Sequence, residues 1–196
     1  MNFDFQAFSA VCMGIALSAS CGFRVFIPLL AVSIAAHFQW LPLPSDMLWL
    51  GSLTAVICFA VAAIVEVTAY YIPFLDNLLD IIATPLAIVA GSILAFAVFP
   101  IPEHNQLLRF VLGLITGGVT AGLIQTGTGL LRLFTTKATI GAGNVLVASG
   151  ENAAAVSVTI LAFLVPVVMA LLLLLLTGWL AFRTIRRLLA REKQVY

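Results

Sequence analysis

Charge is scarce in this sequence. Only 9% of its 196 residues are Asp, Glu, Lys or Arg, 63% are hydrophobic, and the mean hydropathy is +1.18. A water-soluble domain carries about 25% charged and about 45–50% apolar residues. The shortage excludes a free-standing soluble domain and points to a bilayer as solvent. Cysteine is scarce too. Cys12, Cys21 and Cys58 are odd in number, lie inside apolar stretches and match no zinc or redox spacing. A disulfide framework is excluded, and all three are expected to pack as small hydrophobes. His37 and His104 are the only histidines. Neither stands at ligand spacing from another candidate, so both are read as interfacial. No Ser–His–Asp set, CxxC, HExxH or P-loop occurs, so neither enzymatic activity nor a cofactor or metal is expected. The start, MNFDFQAFSA, has an acid and no base. No cleaved signal peptide is expected.

What is present is apolar sequence in long runs. A spanning helix needs about 20 apolar residues, and Phe5 to Phe38 exceeds that. Its centre, SASCGFRVFIP, holds Gly22, Arg24 and Pro28. Such backbone predicts a broken or re-entrant first segment, tolerated in a membrane only under cover of protein or a water-filled cavity. Residues 39–47 read as a loop, in which Ser45 or Asp46 would cap the next helix. Trp40 and Trp49 suit the membrane–water interface. A second span is expected from about Leu48 to Tyr71, then a short interfacial helix near 74–82. Pro85 opens a third span, a fourth runs from about Leu107 to Phe134, and 135–151 reads as a polar loop. A fifth span runs from about Asn152 to Trp179. The expectation is one all-α transmembrane bundle over residues 1–196 with about five spans. Arg183, Arg186, Arg187, Arg191 and Lys193 then form a basic tail, 183–196. The positive-inside rule places that tail of a multi-pass protein in the cytoplasm. Counting back through five spans puts 72–84 and 135–151 on the opposite side.

The few charges inside spans are costly, so each is a candidate functional residue. Glu66 lies in the second span and Arg24 in the broken segment. Arg24 with Glu66, Asp76 or Asp80 is the ion pair expected first, as a structural pair or as part of a site. Asp76 and Asp80 stand four apart and share a helical face. With Glu66 they offer oxygen ligands to a hard cation; a solvated interfacial helix is the plainer alternative. Gly141-Ala-Gly143 could expose amides as an anion nest, against a plain connecting loop, while Asn144 and Glu151 beside it favour a cation or hydrogen-bonding role. The runs Gly14–Gly22 and Gly113–Gly122 are both rich in small residues, an echo that fits either an inverted repeat or chance.

Three stretches together resemble a known family: GIALSASCGFRVFIPLL, then Glu66 with IPFLDNLLD, then TKATIGAGNVLVASGEN. The family is domain of unknown function 4126, an uncharacterised set of multispan membrane proteins. The resemblance covers roughly residues 8–180, and Arg24, Glu66, Asp76, Asp80, Asn144 and Glu151 match its pattern. Tyr70-Tyr71, Val145 and Asn152 depart from it, standing where the family has Asp-Lys, a proline and an aspartate. The resemblance implies a bacterial-type membrane protein and supplies no activity. From the residues, a transporter or channel-like protein for a cation or small solute is expected. The alternatives are an accessory subunit of a membrane complex and a lipid-handling protein. Expected partners are the bilayer and either a second copy of the chain or another membrane protein; nucleic acid is not among them.

Overall fold

The computed structural model of the chain describes residues 4–101, 105–139 and 143–192; the side chains of 73–78, 80, 138, 177, 180, 181 and 183–192 fall outside that description. The described residues form helices and short connections with no strand among them, in the order α1 (Phe5–Cys21), α2 (Phe26–His37), a 3₁₀ turn (Ser45–Gly51), α3 (Leu53–Ala69), α4 (Pro73–Val98), α5 (Gln106–Leu112), a π-helical turn (Gly113–Gly118), α6 (Val119–Thr139), α7 (Asn144–Leu164) and α8 (Pro166–Glu192).

The first apolar stretch is broken where Gly22 and Arg24 predict it. α1 is capped by Asp4, whose carboxylate accepts from the Gln6 and Ala7 amides. It stops at Cys21, and α2 starts four residues after Gly22. Cross-contacts show where α2 goes. Ser33 Oγ donates to the Leu50 carbonyl, and His37 meets the Gly51 carbonyl. Asp46, on the same 3₁₀ turn, pairs with Arg109. Arg109 lies over Phe96, near the Phe99–Gly14 contact midway along α1. α2 therefore runs back toward the end where α1 begins, and residues 22–25 form the tip of a helical hairpin. The halves have 17 and 12 residues, both short for a full crossing.

Three other helices have the length and composition to cross a membrane: Ile81–Val98, Gln106–Lys137 and Asn144–Leu164. The 3₁₀ turn and α3, bent by 58° at Ser52, together make a fourth candidate. Ser52, rather than Ser45 or Asp46, caps α3 by accepting from the Ala55 amide. The segment near 74–82 is the start of α4 and not a separate interfacial helix. Pro73 sits in its first turn, where a missing N–H costs nothing, and Pro85 lies inside the helix. The segment 135–151 is mostly helix as well, since α6 reaches Thr139 and α7 begins at Asn144. The last apolar stretch is two helices, broken at Val165 before Pro166, because a proline at that point has no amide to continue the α7 ladder. With the first and last stretches both broken, a count of five continuous spans back from the tail does not fix the sides of the intervening segments.

α1 is the centre of the bundle, packing on α4, α6, α7 and α8. Ala16, Leu17, Ala19 and Cys21 are fully enclosed. Small residues and hydroxyls make this possible. A Cβ at Gly22 would stand 2.5 Å from Ile124 Cβ, and one at Gly117 would stand 2.8 Å from Ser18 Oγ. The two small-residue runs are thus packed against each other, which lets the backbones approach. Ser18 donates to the Gly91 carbonyl and Ser20 to the Ala155 carbonyl, fastening α4 and α7 to α1. The outward surface carries exposed Leu, Ile, Val and Phe on every long helix, as a lipid-facing surface requires.

Candidate functional site: an ionic centre at the hairpin tip

The tip is polar, and each of its backbone amides is accounted for. The amides of Gly22, Phe23 and Arg24 donate back to Ala19 and Ser20 carbonyls. Those of Val25 and Phe26, at the start of α2, would be orphans. Glu66, at the end of α3, reaches across and accepts both, at 2.8 Å and 3.0 Å. A carboxylate at a helix N-terminus is held by charge-assisted bonds and by the helix dipole. Glu66 is therefore not the ion-pair partner of Arg24. It closes the end of a broken helix where no solvent can.

Arg24 turns instead to α7. Its Nη1 donates to Glu151 Oε2 at 2.8 Å and its Nε to Asn152 Oδ1 at 2.5 Å. Further bonds go to the carbonyls of Phe23 and Ala148. Glu151 also holds Arg132 of α6: Arg132 Nε donates to Oε1 at 3.0 Å, and Nη2 donates to Oε2. Both guanidiniums lie over the Tyr70 ring, at 3.9 Å and 4.0 Å from its centroid. Arg24, Arg132 and Glu151 are almost wholly buried. One carboxylate thus draws together the hairpin tip, the end of α3, α6 and α7.

From this centre a line of hydrogen bonds leads outward. Asn152 Nδ2 donates to Tyr71 Oη at 3.2 Å, and Tyr71 Oη bonds with Ser149 Oγ at 3.1 Å. Tyr71 and Ser149 are exposed. The hydrogen bond with Ser149 holds the Tyr71 phenol below its ordinary pKa.

Of the residues singled out from sequence, Arg24, Glu66 and Glu151 meet here. Asn144 does not join their contacts. As the first residue of α7 its Oδ1 accepts from Thr135 and Thr136, so it ties α7 to the end of α6. Asp76 and Asp80 lie in the first turns of α4, with side chains outside the described residues, as are Gly141-Ala142 and His104. Among the described residues no group of three His, Cys, Asp or Glu converges as a metal site. Sequence reasoning missed Arg132 and Arg109. The rule that singled out Arg24, an ionisable residue inside an apolar span, would have found both.

A second feature lies on the outer face, where α4 and the π-helical turn enclose an open apolar groove of about 360 Å³ lined by Ile88, Leu114, Gly118 and Gly122 among others.

Apolar helices long enough to cross a bilayer, arranged around a buried ionic centre, define an integral membrane protein. The sequence matches the family described as Domain of unknown function (DUF4126) over residues 11–187, and the chain belongs to that family. No curated protein and no solved structure matches it.

Proposed function

We propose that the chain is a transporter or channel-like protein for a cation or small polar solute, with no catalytic step of its own, and that Glu151 is its switch. One observation carries this reading. A single buried carboxylate is gripped by two arginines at the tip of a broken helix, with a hydrogen-bonded line to the exposed face. A purely structural pair needs only one partner. A carboxylate shared by two guanidiniums on different helices can exchange one of them for a cation or a proton. Such an exchange would free either the hairpin tip or α6, which is how an ion biases a two-state element. Broken helices around a polar centre are a recurring architecture of membrane carriers. We further place the protein in a bacterial-type inner membrane, with its basic tail in the cytoplasm.

The test is flux in proteoliposomes across a panel of cations and organic solutes. Wild type should exceed empty liposomes for at least one species, and Glu151→Gln should return that flux to background. Background flux for wild type and variant alike, over the whole panel, would remove the reading. The groove beside Gly118 and Gly122 favours a second reading, lipid handling. Retention of a specific lipid by purified protein, lost in Gly122→Leu, would support it over transport.

A further inference from the structure

The bundle buries another arginine, whose surroundings are unlike those of Arg24. Arg109 of α5 is only 1% exposed. Its Nη2 donates to both oxygens of Asp46, at 2.7 Å and 2.6 Å, and its guanidinium lies 4.3 Å from the Phe96 ring centroid. Its Nε is buried with no hydrogen-bond partner among the described residues. A buried guanidinium held through one nitrogen, with another donor orphaned, is incompletely satisfied, and such groups call for an explanation. The Asp46 side chain, by contrast, is 28% exposed. The pair sits at a boundary, with the acid outward and the base inward.

Its place in the fold supplies the explanation. Arg109 and Arg132 lie on one continuous helical rod, α5 through the π-helical turn to α6. At 1.5 Å per residue they are roughly 35 Å apart, comparable with the roughly 30 Å hydrocarbon core. Asp46 and Tyr70 likewise stand at opposite ends of the bent unit formed by the 3₁₀ turn and α3. The two units are joined at both ends: by Asp46–Arg109 at one, and by Arg132 over Tyr70 at the other. Between the joints lies the π-helical turn Gly113–Gly118. Single π turns inside helices are frequently found at functional positions. This one lies against α4, where a Cβ on Gly113 would meet the Ser92 carbonyl at 3.1 Å.

We propose that Asp46–Arg109 is a salt-bridge gate, closed in this structure, at the end of the bundle opposite the ionic centre. The 3₁₀ turn is its moving part, and the orphaned Nε marks the incomplete hold that lets it release. The proposal deepens the transport reading and rests on it for the gate's purpose, but its structural claim can be tested without flux.

Two native thiols serve as reporters. Cys12 and Cys21 are both buried in α1. Cys12 lies less than one turn from Gly14, which contacts Phe99 at the gate end, whereas Cys21 lies at the hairpin tip. In nanodiscs, where both faces are accessible, a Cys58→Ala protein should react slowly at both thiols with a charged thiol reagent. Asp46→Asn should raise the Cys12 rate by on the order of tenfold, the scale of a local opening made easier by one lost pair, with Cys21 changing little. Asp46→Glu, which keeps the charge, should leave Cys12 protected. An unchanged Cys12 rate in both Asp46→Asn and Arg109→Gln would overturn the gate. An equal rise at Cys12 and Cys21 would also overturn it, because that is general loosening. If the thiol pattern holds while wild-type flux stays at background, the transport reading fails and the latch stands. If flux is present and Cys12 stays protected in Asp46→Asn, the transport reading survives without this gate.

Discussion

Glu66 and Glu151 are both acids buried inside spans, and their chemistry separates them. Glu66 accepts from two backbone amides, and Glu151 accepts from two arginines. Removing Glu66 leaves two buried donors with nothing to bond, at roughly 1–3 kcal/mol each. Glu66→Ala should therefore lower the thermal unfolding midpoint in detergent sharply. Glu66→Gln, which keeps one acceptor oxygen, should recover part of the loss. Equal midpoints for Glu66→Ala and wild type would show that the cap does not hold α2. Removing Glu151 strands two guanidiniums, and breaking a buried pair from one side costs about 3–5 kcal/mol. Glu151→Ala should thus be the more damaging of the two alanine variants in the same assay. The cost of intramembrane charge made Glu66 legible in the sequence, whereas Glu151 reads there as part of the polar segment 135–151. Their partners were not legible: the sequence offered Arg24 the acids Glu66, Asp76 or Asp80, and only the fold brings Glu151 of α7 to it.

At the scale of elements, the sequence revealed where helices break but not always where they join. Gly22, Arg24 and Pro28 forecast the hairpin tip, since a donor-poor, flexible stretch cannot continue a helix. Pro85 was read as a start because proline favours first turns. It lies inside α4 instead, because the surrounding helix packs on α1 and the π-helical turn, and packing overrides one missing bond. Pro166 went unread within a long apolar run and yet separates α7 from α8. The small-residue runs were legible as an echo of each other, although not that they would pack together. That contact predicts a sharp contrast between two glycines of the same rod. A Cβ at Gly117 would stand 2.7 Å from Ala95 Cβ and 2.8 Å from Ser18 Oγ, whereas one at Gly127 meets nothing within 4 Å. Gly117→Val should destabilise the bundle by about 1–3 kcal/mol through overpacking. Gly127→Ala should be neutral or stabilising by up to about 1 kcal/mol, from helix propensity. Similar losses at both positions, in unfolding titrations, would mean that the π-helical turn does not approach α1 and α4 as described.

For the whole molecule, the hairpin tip sets the sharpest demand. Non-helical backbone in a membrane interior survives only if each polar group is satisfied by protein. Here residues 22–24 bond back onto α1, and residues 25–26 bond to Glu66. The tip is a break in geometry without being a break in hydrogen bonding. Amide exchange should reflect that accounting rather than secondary structure. In nanodiscs, amides 22–26 should exchange as slowly as those in the middle of α1, although residues 22–25 lie outside regular helix. Glu66→Ala should then accelerate Val25 and Phe26 selectively and leave Gly22 to Arg24 slow, because those three depend on α1 alone. If the wild-type tip exchanged as fast as unprotected amides, the hairpin would not be enclosed by the bundle. The ionic centre would then stand in water, where a buried carboxylate shared between two arginines loses its reason to act as a switch.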